Sequence, residues 1–173
     1  MLETFCVLEY NQIGDFMASK TNAVRLVQQA GFPCEETFYE YDENDLNGNH
    51  AAEAIGYPPE QVFKTLVTRG ARTGINVFCI PVCCELDLKK AAMAAGDKSI
   101  QMLAVKDLLG VTGYIRGGCS PVGMKKKYPT FIDETCILYD KIAISAGERG
   151  HQMIVSYEAI LKLTDASMED LIV

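Results

Sequence analysis

The feature that most constrains this chain is the regular alternation of strand-like and helix-like segments from residue 21 to the C-terminal end. The helix-like segments place apolar residues three and four positions apart, the strand-like segments alternate or are rich in β-branched residues, and Gly or Pro separates many of them. Interleaved segments of this kind fold into one mixed sheet or barrel flanked by helices. The chain is therefore predicted to belong to the mixed α/β class.

The ends of the helices are marked most clearly in the sequence. Thr21, Asp87 and Ser156 are suited to be N-caps, and Gly31 and Gly96 are suited to end helices. Helices are predicted to follow each of these three caps and to span residues 49–55 and 105–109. Strands are predicted over residues 37–41, 62–69, 75–82, 100–103, 130–133, 137–145 and 152–155, with 62–69 and 75–82 joined as a hairpin.

Length and composition predict one folded domain. The 173 residues suit a single domain, and 49% hydrophobic against 23% charged residues argues against a disordered chain. Residues 20–173 are expected to form this domain, and residues 1–19 are expected to be an N-terminal extension packed on it. No apolar run reaches the roughly 18 residues of a membrane span, and no secretory signal is visible. A cytoplasmic protein with no membrane partner is therefore expected.

Charge and cysteine usage narrow the function further. The net charge of −7 argues against a general nucleic-acid binder, so no DNA partner is expected. The seven cysteines lack the paired short spacings of zinc sites, and neither a metal nor another cofactor is expected. Strand alternation would place Cys79 and Cys83 on one face and Cys84 on the other.

Two stretches stand out as candidates for a site. Lys64 lies inside the apolar segment 62–66, where its ammonium must reach water, a carboxylate or a ligand, so it is either functional or an edge-strand lysine. Residues 110–123 are rich in glycine, which lets a ligand approach the backbone, and the lysines at 125–127 follow. This second stretch is either a pocket wall or a turn beside a solvated run of charge.

Two further segments carry weaker signals. Ser145 stands where a predicted strand ends in the tight turn S-A-G-E-R-G, which differs from the G-x-S-x-G elbow of esterases. A nucleophilic serine triad therefore has no support. Tyr39 and Tyr41 share one face of a strand by alternation, which suits either the core or the surface of a sheet.

Taken together and in this order, the segments resemble the YbaK/EbsC family. The resemblance rests on F-K-T-L around Lys64, L-D-L-K-K at 86–90, T-G-Y at 112–114, G-G-C-S-P-V-G at 117–123 with the following lysines and Pro129, and S-A-G-E-R-G at 145–150. It covers residues from about 20 to 170. Members of this family are related to the editing insertion domain of bacterial prolyl-tRNA synthetases.

The resemblance implies a fold, an activity and partners. The implied fold is a barrel-like mixed sheet surrounded by helices. The implied activity is that of a free-standing aminoacyl-tRNA deacylase, with Cys-tRNA(Pro) as the usual substrate. Its partner would be the acceptor end of aminoacyl-tRNA, with prolyl-tRNA synthetase as a candidate second partner.

The resemblance also implies roles for individual residues. Lys64 would approach the terminal adenosine and the ester, and Gly117 and Ser145 would complete the catalytic set. Substrate-binding positions would be Tyr39, Thr65, Gly118, Ser120, Pro121 and Gln152, and phosphate contacts would come from Lys125, Lys126 and Lys127. The substrate's own thiol would attack its ester carbonyl, while the protein supplies positioning and stabilisation of the oxyanion.

Two positions depart from the family pattern. Gln152 stands where some close members have a carboxylate, and Cys119 replaces the usual Ile or Val before Ser120. The preferred amino acid stays open, because related editing domains act on alanyl or other small aminoacyl groups.

Two rival functions remain at this stage. A non-catalytic module of the same fold would bind a tRNA end or a synthetase and release no amino acid. A redox or metal protein built on the cysteines would need ligand spacings that the sequence lacks.

Overall fold

The structure, a computed structural model, describes residues 20–173, so the predicted extension at 1–19 lies outside the described residues. Within this range the chain forms five α-helices, eight β-strands and two short 3₁₀ helices at Pro59–Gln61 and Glu134–Leu138. The helices are α1 (Asn22–Gln29), α2 (Gly48–Ile55), α3 (Leu88–Ala94), α4 (Val105–Thr112) and α5 (Tyr157–Thr164). The strands are β1 (Glu35–Phe38), β2 (Val62–Gly70), β3 (Gly74–Pro81), β4 (Ile100–Met102), β5 (Thr130–Asp133), β6 (Ile142–Glu148), β7 (His151–Val155) and β8 (Ser167–Glu169). None of the described helices has the length and apolar character needed to cross a membrane.

All eight strands belong to one mixed sheet, which confirms the predicted mixed α/β class. Seven of them follow the order β1-β7-β6-β2-β3-β5-β8, and β4 pairs with β2 beside this path. Among the described strands β1 and β8 form the two ends of the path, so the sheet is open and not a closed barrel. The predicted hairpin is present, with β2 and β3 paired antiparallel from Phe63 to Gly70.

On the side away from β3, strand β2 pairs with two different strands, one at each of its ends. A gap in the sheet lies between these two strands. Its start, Val62–Phe63, pairs in parallel with β6, whereas its end, Thr68–Gly70, pairs antiparallel with β4. The Val82 N–H donates to the Val62 carbonyl at 2.8 Å, so even-numbered residues of β2 direct their backbone groups toward β3. The backbone groups of Thr65 therefore point to the other side, into the gap between β6 and β4.

Both faces of the central strands are covered by helices. On one face α1 and α5 pack through buried Val24, Val27 and Ile160 against Cys79 of β3. On the other face α3 packs through Ala91 and Ala92 against Phe78, which stacks on Phe131 with ring centroids 5.1 Å apart. A strand covered on both faces is mostly apolar, as β3 is apart from Asn76.

Two predicted strands differ from those observed. The strand predicted at 37–41 is Glu35–Phe38, because the chain leaves the sheet at Tyr39, whose N–H donates to the Gly150 carbonyl. The strand predicted at 137–145 begins only at Ile142, because Asp133 caps a 3₁₀ helix through the Thr135 N–H at 3.1 Å. Strand β8 was not predicted.

The predicted arrangement of Cys83 and Cys84 on opposite faces is wrong. Strand β3 ends at Pro81, and the Cys84 N–H donates to the Pro81 carbonyl at 3.1 Å to close a turn. In this turn the two Sγ atoms lie 3.7 Å apart. The alternation rule fails here because it holds only while the backbone stays extended.

Candidate active site

A cavity of about 900 Å³ opens at the gap between β6 and β4. This volume is in the usual range of small-molecule sites. Its wall contains six of the residues predicted to catalyse or bind, drawn from five segments of the chain: Tyr39, Lys64, Thr65, Gly117, Ser145 and Gln152. The fold therefore brings together residues that the sequence analysis could relate only by resemblance.

Lys64 reaches the cavity from the middle of β2. It is half-buried, and its Nζ donates a hydrogen bond to the Val82 carbonyl oxygen at 3.3 Å. None of the ion pairs among residues 20–173 involves Lys64, so no carboxylate neutralises this ammonium. Val82 packs closely against Gly48, where a Cβ would lie 2.6 Å from the Val82 Cγ1 atom.

The glycine-rich loop forms a second part of the wall at Gly117. This residue has φ +87°, a conformation that favours glycine. At Gly118 a Cβ would lie 2.9 Å from the Glu148 carbonyl carbon, so this glycine lets the loop pack against the β6–β7 turn. Gly118, Ser120 and Pro121 are buried and do not line the cavity.

Tyr114 ties the glycine-rich loop to the turn after β6. Its hydroxyl donates to the Val122 carbonyl at 2.6 Å, and burial raises the pKa of this hydroxyl to about 12. Its ring lies beside Gly147, where a Cβ would come within 2.9 Å of the Tyr114 Cε1 atom. The T-G-Y segment thus supports both loops that carry predicted site residues.

Ser145 and Gln152 are paired across β6 and β7 and line the cavity together. The Ser145 Oγ accepts the Gly147 N–H at 3.1 Å. Gln152 is only 6% exposed, and its Oε1 atom has no hydrogen-bond partner among the described residues. A buried amide oxygen in this state is expected to accept a hydrogen bond from water or from a ligand in the cavity.

His151 points away from this pair, as strand alternation requires. Its ring stacks on Phe38 with centroids 4.2 Å apart, and its Nε2 lies 2.9 Å from the Glu36 Oε2 atom. His151 is absent from the cavity wall. The geometry therefore offers no Ser145–His151 dyad, in line with the sequence analysis.

Two arginines at the cavity were not predicted. The Arg149 Nε donates to the Arg116 carbonyl at 2.9 Å, and its guanidinium pairs with Glu43 at 3.2 Å. The side chain of Arg116 is exposed and lines the same cavity. The sequence did offer a signal for both residues. Arg116 directly precedes the glycine pair at 117–118, and Arg149 lies within the motif S-A-G-E-R-G.

The lysine run lies at a different place. Lys125, Lys126 and Lys127 line a smaller cleft of about 190 Å³ together with Tyr128 and Leu163, and none of them lines the main cavity. Lys127 forms an ion pair with Asp165, and the Lys125 Nζ donates to the Gly110 carbonyl at 3.4 Å. Two of the three ammonium groups therefore already have protein partners.

Cys119 lies in the cavity wall and is 8% exposed. Burial raises the pKa of its thiol to about 12. Because the thiolate is the nucleophilic form of cysteine, this protonated thiol is unsuited to attack an ester near neutral pH. A buried, protonated cysteine behaves as a small apolar side chain in the cavity wall.

The chain is similar to several known proteins. The family model described as the aminoacyl-tRNA editing domain matches residues 48–163. EbsC of Enterococcus faecalis, named as a candidate Cys-tRNA(Pro)/Cys-tRNA(Cys) deacylase, is 47% identical over 88% of this chain and 93% of its own. A proline–tRNA ligase of Shouchella clausii is 28% identical over 61% of this chain and 18% of its own. A crystal structure of a candidate trans-editing enzyme for prolyl-tRNA synthetase aligns with a TM-score of 0.73 at 25% identity, covering 90% of this chain and 99% of that one.

Proposed function

Because this chain belongs to the aminoacyl-tRNA editing domain family, we propose that it is a free-standing deacylase that removes Cys from mischarged tRNA(Pro). The observation that carries the proposal is Lys64, an ammonium without a carboxylate partner at the wall of a cavity of suitable size. Burying a lysine near apolar side chains is unfavourable unless its ammonium is paired with an anion or a hydrogen-bond acceptor. The substrate offers phosphate and ester oxygens that such a charge attracts.

The proposed reaction needs no nucleophile from the protein. The thiol of the cysteinyl group loses its proton and its sulfur attacks the carbonyl carbon of the ester. A carbon–sulfur bond forms, the bond from that carbon to the ribose oxygen breaks, and the ribose oxygen takes up a proton. The products are a cyclic thiolactone and free tRNA.

The backbone at the cavity supplies candidate donors for the oxyanion. We assign this role to the N–H groups of Thr65, which face the gap in the sheet, and of Gly117. Donors held in place before the reaction stabilise developing charge without reorganisation. Gly118, Ser120 and Pro121 would act on the substrate indirectly, by fixing the path of the loop behind Gly117.

Ser145 and Gln152 are proposed to bind the amino-acid end of the substrate. The unpartnered Gln152 Oε1 is suited to accept a hydrogen bond from the α-amino group. Because an amide carries no charge, it raises the pKa of the substrate's α-amino group less than a carboxylate would. Tyr39, which also lines the cavity, is proposed to contact the terminal nucleoside.

Phosphate contacts are proposed at two distances from the ester. Arg116 lies at the cavity itself and would meet the terminal phosphate. The lysines at 125–127 lie outside the cavity and would meet phosphates further along the acceptor stem. Prolyl-tRNA synthetase is proposed to supply the choice of tRNA, and the cytoplasm is the proposed compartment.

A deacylation panel tests the function. The full chain is incubated with Cys-, Ala-, Ser- and Pro-tRNA, and release of the amino acid is followed with time. We expect Cys-tRNA to react fastest and Ser-tRNA far more slowly, because a hydroxyl is a poorer nucleophile than a thiol that is partly ionised. Binding of tRNA with no release of any amino acid, even at high protein concentration, would instead establish a non-catalytic module.

A further inference from the structure

Two neighbouring thiols lie together in the turn that follows β3. The Sγ atoms of Cys83 and Cys84 are 3.7 Å apart. Of the cysteines among residues 20–173, Cys83 is the exposed one, and Cys84 is half-buried behind it. An accessible thiol beside a second thiol is the arrangement in which oxidation proceeds to a disulfide.

This turn also accepts a hydrogen bond from Lys64 of β2. Val82, directly before the two cysteines, provides the carbonyl that accepts the Lys64 Nζ hydrogen bond at 3.3 Å. The Lys64 ammonium lowers the pKa of the Cys84 thiol, against the larger rise that burial causes. Neither Cys83 nor Cys84 lines the cavity, which separates this pair from the proposed substrate contacts.

We propose that Cys83 and Cys84 form an oxidation site at which hydrogen peroxide closes a disulfide between them, moving the Val82 carbonyl away from Lys64 and slowing the enzyme. The second half of this inference, the effect on rate, rests on the proposed deacylase function. The first half, the disulfide, is independent of it.

The chemistry balances with the peroxide as the oxidant. The exposed Cys83 thiolate attacks one peroxide oxygen, the O–O bond breaks, and a sulfenic acid and water result. The Cys84 sulfur then attacks the Cys83 sulfur and displaces a second water. Two thiols have lost two hydrogens and the peroxide has become two waters. Burial and the Cys83 contact raise the pKa of Cys84 to about 11, so this thiol gives up its proton only as it attacks the Cys83 sulfur.

The backbone must change when this disulfide closes. Adjacent Cα atoms lie about 3.8 Å apart across a trans peptide. Disulfides usually join Cα atoms about 4.4–6.8 Å apart. The peptide bond fixes the first distance, so closing the disulfide requires new backbone torsion angles at Cys83 and Cys84. The Val82 carbonyl belongs to the adjoining peptide of the same turn. A shift of about 1 Å in a positioned group can lower a rate by about a hundredfold.

The first measurement is the intact mass of the full chain after treatment with hydrogen peroxide. We expect the loss of two hydrogen masses, reversal by dithiothreitol, and a peptide containing linked Cys83 and Cys84. Cys83→Ser and Cys84→Ser should prevent this loss, whereas Cys34→Ser and Cys6→Ser should not. Addition of oxygen to Cys83 without loss of hydrogen, or linkage of another pair, would overturn the proposed site.

The second measurement is Cys-tRNA deacylation by the same samples. Peroxide should lower the rate of the unmodified chain by about tenfold or more, and dithiothreitol should restore it. Cys83→Ser should deacylate Cys-tRNA at the rate of the unmodified chain, and peroxide should not lower that rate. A disulfide that forms without changing the rate would overturn the link to Lys64, while a disulfide in a chain inactive on every aminoacyl-tRNA would show that only the proposed function had failed.

Discussion

Ser145 and Gln152 face the same cavity from paired positions on β6 and β7, and the Gln152 Oε1 has no partner among the described residues. Side chains at paired positions lie on the same face of a sheet. The pair therefore presents one hydroxyl and one free amide acceptor to a ligand in the cavity that Lys64 also lines. The first two predictions test this group of side chains.

Replacing Gln152 by Ala should lower kcat/KM for Cys-tRNA by about tenfold, the effect of losing one neutral hydrogen bond to the substrate. Steady-state kinetics with Gln101→Ala, an exposed glutamine on β4, as the matched control would check it. Equal rates for the two variants would mean that Gln152 does not bind the substrate.

Replacing Lys64 by Ala should lower deacylation by about a hundredfold or more, the scale of losing one preorganised electrostatic contact. The fold should be retained, because Lys64 has no carboxylate partner that would be left buried and unpaired. The control is Lys98→Ala, an exposed lysine after α3. Near-normal hydrolysis by Lys64→Ala, or a loss of activity that follows a lowered Tm, would contradict the proposed role of Lys64 in deacylation.

Tyr114→Phe should lower the free energy of unfolding by about 1–3 kcal/mol, because it leaves the buried Val122 carbonyl without its donor. Denaturant titration should give a smaller change for Tyr139→Phe, whose hydroxyl makes no hydrogen bond among residues 20–173. A similar small effect for both would show that water satisfies the Val122 carbonyl.

Binding of tRNA by the protein alone should depend only weakly on salt, because few basic groups are available for phosphate contacts. Arg116→Ala should weaken binding of a short acceptor-stem RNA. Joint replacement of Lys125, Lys126 and Lys127 by Ala should instead flatten the salt dependence measured with full-length tRNA. A steep slope, as for about six or more phosphates, would contradict this prediction.

Acid should destabilise the protein partly through Asp97. Backbone donors at Thr73 and Arg72, helped by the Thr73 hydroxyl, hold the pKa of this carboxyl well below its usual range. A depressed pKa in the folded state adds stability above the unfolded value of about 3.9, and this contribution is lost as the pH falls below it. Asp97→Asn should therefore be less stable at pH 7 and lose less stability on acidification. Parallel pH profiles of Tm would contradict this.

The sequence alone predicted the features that depend on neighbours along the chain. Thr21, Asp87 and Ser156 each accept a backbone N–H at the start of a helix, as predicted, because capping involves residues only two or three positions apart. The hairpin of β2 and β3 was predicted for the same reason. The segment at 137–145 was misjudged because the capping carboxylate of Asp133 competes locally with an extended strand.

Only the tertiary structure decided how these elements form a site. Pairing of β2 with β6 at one end and β4 at the other joins positions about 80 and 30 residues away, and it opens the gap where the Thr65 backbone faces the cavity. The unpartnered Gln152 amide, the nearby Arg116 and the turn that brings Cys83 to Cys84 depend on register and on where strands end. Local spacing determines the elements and their caps, whereas the partner of a buried polar group is determined by long-range packing.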